Sequence, residues 1–101
     1  MNSSNPEEFI RTNFSNIALD MFPDNMGLTW EILSLYPNPG YLYDVTARST
    51  NGSVGYNPVR LFVALPPGGQ CDVQAAYFES KKGGWDLLAS SPGTKFEKHL
   101  S

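Results

Sequence analysis

Between Leu28 and Ala89 apolar and polar residues alternate in five short runs, with turn-forming residues between them. Pro37-Asn38-Pro39-Gly40, Asn51-Gly52-Ser53, Pro66-Pro67-Gly68-Gly69 and Lys81-Lys82-Gly83-Gly84 mark the breaks. Successive side chains on a strand point to opposite faces, so a period of two bounded by Gly, Pro and Asn predicts an antiparallel meander. The runs place strands over 28–36, 41–49, 59–65, 71–79 and 85–89. Upstream the period changes. Ile10, Phe14, Ile17, Ala18 and Met21 recur at helical spacing and predict a helix over 5–22. Asn5 suits the N-cap and Pro6 the first helical position, and Glu7 and Glu8 complement the positive end of the helix dipole. Pro23 prevents the helix from continuing. Residues 94–101 read as a last helical turn or a frayed tail.

These elements predict one α+β domain over 1–101, with the N-terminal helix packed on one face of a four- to five-stranded antiparallel meander. Strict alternation puts Trp30, Ile32, Tyr41, Tyr43, Val45, Val59, Leu61, Val63, Leu65, Val73, Ala75, Tyr77 and Leu87 on the face under the helix. The opposite face carries Glu31, Asp44, Thr46, Arg48, Arg60, Asp72 and Gln74, as a wetted face should. It also carries Leu33, Leu35, Leu42, Phe62 and Phe78. A monomer seldom leaves a contiguous apolar patch beyond a few hundred Å² in water, so these five side chains form a candidate interface. The long loop over 50–58, with Val54 and Tyr56, supplies its rim.

Composition narrows the classes. A chain of 101 residues, 41% hydrophobic and 13% aromatic, can bury a core without disulfides or metal. The net charge is −3 and the seven basic residues are scattered, which gives no electrostatic footprint for nucleic acid. The many aromatics suit core packing and a protein interface better than base stacking, because only Arg48 and Arg60 would flank such a platform. Cys71 is the single cysteine and makes no internal disulfide. No apolar run approaches the roughly 20 residues that span a bilayer, and residues 1–8 lack the pattern of a signal peptide. The expected location is the cytoplasm, away from membranes.

Candidate chemistry is sparse. A nucleophile needs a base within reach, and His99 is the one histidine. A Cys71–His99 dyad has no motif behind it, and one Cys with one His builds no zinc site. Asp20, Asp24 and Asn25 lack the spacing of a calcium loop. Glu31 and Asp44 share a face, where ion pairing with Arg48 or Arg60 is expected rather than acid–base work. Gly68-Gly69-Gln70 matches the tripeptide of peptide release factors, but its surroundings hold none of the basic residues that contact RNA. The helix-plus-meander plan resembles that of cystatins, yet Gln70-Cys71-Asp72-Val73-Gln74 departs from their Gln-Val-Val-Ala-Gly-type loop. No catalytic, cofactor-binding or metal-ligating residue is assigned.

The expected function is therefore a non-catalytic interaction or assembly module that uses its apolar sheet face. Its partner would be another protein or a second copy of itself. One alternative is a small-ligand binder or enzyme with a pocket between helix and sheet, lined by Trp30, Tyr43, Tyr77 and Phe14. A second alternative is a secretion or assembly chaperone.

Overall fold

A computed structural model of the chain describes residues 5–22, 27–51 and 58–101. Helix α1 spans Pro6–Leu19. The Asn5 side chain caps it by accepting from the backbone of Glu7 at 3.0 Å and Glu8 at 3.4 Å. Ile10, Phe14, Ile17 and Ala18 are its buried residues. The helix ends three residues earlier than the spacing predicted. The Met21 and Phe22 amides both donate to the Ala18 carbonyl, which closes the last turn and tucks Phe22 into the core.

Six strands follow: β1 (Trp30–Asn38), β2 (Leu42–Ser49), β3 (Val59–Ala64), β4 (Asp72–Glu79), β5 (Trp85–Ser90) and β6 (His99–Leu100). They form one antiparallel sheet whose spatial order is the order of the sequence. The first five correspond to the predicted runs. The sixth lies in the segment expected to be a tail. Among the described residues no helix is long and apolar enough to cross a membrane.

Three bulges decide which side chain faces where. The pairing shifts by one residue at Leu33 of β1, at Gln74 of β4 and at Leu88 of β5. One extra residue moves everything beyond it to the other face. Leu35, expected on the second face, is therefore opposite Val45 and belongs to the core under the helix. Ala75, Tyr77 and Leu87, expected under the helix, lie on the second face instead. Phe78, also expected on the second face, is opposite Val59, a residue of the helix-side core.

The helix-side core contains Ile10, Phe14, Ile17, Phe22, Val45, Leu61 and Val63, with Trp30 packed edge-on against Phe14 and stacked on Phe22. Burying each of these large side chains contributes about 1.5–3 kcal/mol before entropy is subtracted. The second face holds a smaller cluster of Phe62, Ala75 and Tyr77, with Leu42, Trp85, Leu87, Phe96 and Leu100 packed against it. The C-terminal segment is the cover there. The Tyr77 hydroxyl donates to the Glu97 carbonyl at 2.6 Å, and the Leu87 amide donates to the Lys98 carbonyl at 2.8 Å. The Phe96 ring sits 5.4 Å from that of Phe62.

Candidate functional site

Two carboxylates of the second face are paired with arginines. Arg48 donates to Glu31 at 2.7 Å on the exposed side. Arg60 grips Asp44 with two hydrogen bonds, Nε to Oδ1 at 2.8 Å and Nη2 to Oδ2 at 2.5 Å. Its guanidinium also lies over the rings of Phe62 and Trp85, at 5.3 and 5.7 Å from their centres. The bond to Asp44 raises the Arg60 pKa, against the effect of burial. Both carboxylates are therefore held by arginines.

Cys71 and His99 lie in different surroundings. Cys71 is half-buried against the helix-side core. Burial, then the charges of Asp20 and Asp72, push its thiol up and away from the thiolate needed for nucleophilic attack. His99, on β6, meets Asp86 through Nδ1 at 2.9 Å, with both side chains about half-exposed. This pair borders an open cleft of about 600 Å³ together with Phe78, Glu79, Ser80, Lys81 and Lys82. Among the described residues no three His, Cys, Asp or Glu side chains gather as a metal site would require.

The expected interface residues do not form one patch. Leu33 is half-exposed at the β1 bulge. Leu35 is inside the helix-side core. Leu42 and Phe62 belong to the cluster under the C-terminal segment. Phe78 borders the cleft beside His99. Tyr56 lies outside the described residues.

A second concavity, of about 350 Å³, has a different character. It is lined by Pro6, Phe9, Tyr41, Tyr43, Leu65, Pro66, Pro67, Gly68 and Gly69, with no charged side chain among them. Three segments build it. Pro6 and Phe9 stand on neighbouring turns at the start of α1. Tyr41 ends the β1–β2 turn, and its carbonyl accepts from the Leu65 amide at 2.9 Å, which ties that turn to the end of β3. The Pro66–Gly69 turn closes through the Gly69 amide on the Pro66 carbonyl at 3.0 Å. A side chain at Gly69 would place its Cβ 2.6 Å from Pro66 Cγ, so the tight turn requires glycine there.

Two observations separate this groove from an incidental dent. Phe9 and Tyr41 are 43% and 54% exposed, and they are two of the four exposed large hydrophobic residues among those described. Tyr41 also has φ of 60°, in the left-handed region that glycine or asparagine normally fills. A tyrosine there stores backbone strain of about 1 kcal/mol or more, and its ring stands in water.

The chain matches no known protein family, curated protein or solved structure.

The groove was not visible in the sequence, because its walls come from three distant segments. Phe9 falls off the helical stripe. The clues that were present are an apolar residue on the wet side of a helix, a tyrosine directly after the turn glycine Gly40, and consecutive prolines after a strand.

Proposed function

We propose that this protein is a non-catalytic interaction module that takes an extended segment of another chain into the groove between α1, the β1–β2 turn and the Pro66–Gly69 turn. The observation that carries the reading is the pair of exposed rings, Phe9 and Tyr41, set in a charge-free concavity. Aromatic rings offer large contact area at low entropic cost, and they are enriched at protein interfaces. The groove takes the role first expected of the apolar sheet face, since the C-terminal segment covers much of that face. Of the residues expected to line a pocket between helix and sheet, Trp30 packs edge-on against Phe14 and Tyr77 lies on the second face. A cytoplasmic location is part of this proposal.

The test is selection of displayed peptides on the immobilised protein, repeated with Phe9→Ser. Enriched peptides that the wild type binds and Phe9→Ser does not would support the groove. Peptides that bind both forms equally would move the contact surface elsewhere.

A second reading, self-association, rests on a separate observation. β1 is a nine-residue edge strand with no neighbour on its outer side among the described residues, and Leu33 and Tyr36 on it are 50% and 62% exposed. A concentration-dependent mass in sedimentation, abolished by Tyr36→Lys, would favour that reading.

A further inference from the structure

We propose that the C-terminal segment over 94–101 is an exchangeable strap whose partner is a second copy of this chain: released from its own sheet, it seats on the second face of another copy, and the two copies close on each other reciprocally. β5 and β6 stand at the opposite edge of the sheet from β1, so this exchange uses neither the groove nor the β1 edge.

The structure itself shows what fits this face. Phe96 and Leu100 are the strap's two anchors in the Phe62–Tyr77 cluster. Leu100 is opposite Trp85, and His99 is opposite Asp86. The Lys98 carbonyl accepts from the Leu87 amide, and the Glu97 carbonyl accepts from the Tyr77 hydroxyl. The seat is shaped to this backbone. A Cβ at Gly84 would collide with the Leu100 carbonyl oxygen and with the His99 ring, so the glycine leaves room for the strap to pass. An extended segment that adds to a sheet edge is recognised by its backbone and by alternate side chains, whichever molecule supplies it. A second copy brings the same anchors and the same carbonyls.

The attachment is thin and pivots at one place. Ser91 is fixed to β4, its amide donating to the Gln74 carbonyl and its hydroxyl to the Val73 carbonyl, both at 2.8 Å. Beyond it the chain reverses through Pro92 and Gly93, and the Thr94 amide closes the turn on the Ser91 carbonyl at 3.2 Å. Gly93 has φ of 84°, and a Cβ there would meet nothing within 4 Å. The reversal therefore depends on one left-handed residue and not on packing around it. β6 holds two residues and both anchors are half-buried, so the strap gives up little on opening. An opened copy bares Phe62, Tyr77 and Leu87 together with its own Phe96 and Leu100. Two opened copies cover both patches at once, each surface meeting its counterpart across a two-fold axis. The short tether opposes this, because it presents the chain's own strap at an effective concentration of about millimolar. Exchange is therefore expected at about millimolar protein, and whatever penalises the turn at Gly93 favours it.

The test is disulfide capture between two full chains, both carrying Cys71→Ser. One also carries Asp86→Cys and the other His99→Cys. These positions face each other across β5 and β6, so a cross-link between different chains reports a strap seated on the other copy. The two are mixed at millimolar concentration, warmed to just below the melting midpoint, cooled and oxidised with glutathione disulfide. A covalent heterodimer should form at about tenfold the yield of a control mixture of Arg11→Cys with His99→Cys, since Arg11 is on α1. Gly93→Val on both chains strains the closed turn and should give the same capture at about tenfold lower protein concentration. Gly93→Ala repeats that arm should the valine variant fail to fold. Phe96→Ser on the His99→Cys chain should abolish capture, and Tyr36→Lys on both chains should leave it unchanged. A yield no higher than the Arg11 control would overturn the proposal. Capture that Phe96→Ser leaves intact, or that neither Gly93 variant shifts, would overturn it too. Loss of capture with Tyr36→Lys would move the contact to the β1 edge and overturn the exchange, while the groove stands or falls separately on the displayed-peptide selection.

Discussion

One sheet carries two covers, and they are built differently. α1 lays four buried side chains on the first face from a regular fourteen-residue helix with a capped start. The C-terminal segment covers the second face with two half-buried apolar residues, Phe96 and Leu100, a two-residue strand and a few hydrogen bonds. Under the helix lies a continuous apolar core. Under the C-terminal segment, aromatic residues share the space with the Arg60–Asp44 pair. The contrast shows that a face holding charged residues can still be covered. It needs each charge answered and one ring, here Phe96, to fill the gap between strands.

That contrast can be broken by mutation. Leu61 is fully buried under the helix, and Leu61→Ala should cost about 2–5 kcal/mol in chemical denaturation. Phe96→Ala should cost less, about 1–2 kcal/mol, because the ring is only partly buried before it is removed. Equal losses for the two substitutions would mean that the covers are energetically equivalent.

The smallest expected effect is in the pH dependence. Burial first, and then the charge of Glu97, hold the Tyr77 hydroxyl above its ordinary pKa. A group whose pKa is raised by folding contributes fully below its unfolded value, and that contribution is lost as pH rises past it. Stability should therefore decline from about pH 10 upward, where the unfolded chain releases a proton that the folded chain keeps. Tyr77→Phe should flatten that decline, as read from melting temperatures across alkaline buffers. An unchanged slope would place the alkaline sensitivity elsewhere.

The two covers also differ in how far the sequence revealed them. Ile10, Phe14, Ile17 and Ala18 repeat at helical spacing because all must reach one core, so α1 could be read directly. The five longer strands were readable for the same reason, each bounded by Gly or Pro. The extra residues at Leu33, Gln74 and Leu88 carried no such mark. None is a glycine, and each conforms to the alternation up to the point where it breaks it. Strict alternation therefore put Leu35 and Tyr77 on the wrong faces. β6 is two residues long, too short to show a period at all. The groove was hidden for a different reason, since no local pattern records that Phe9, Tyr41 and Pro66 meet.

Spatial order that follows chain order has a kinetic side. Each strand pairs with the one made just before it, so the sheet can zip up hairpin by hairpin without waiting for a remote partner. Disassembly runs the other way, from the rims inward. β3, flanked on both sides and fully buried at Val59, Leu61 and Val63, should be the last strand to exchange its amide hydrogens with the solvent.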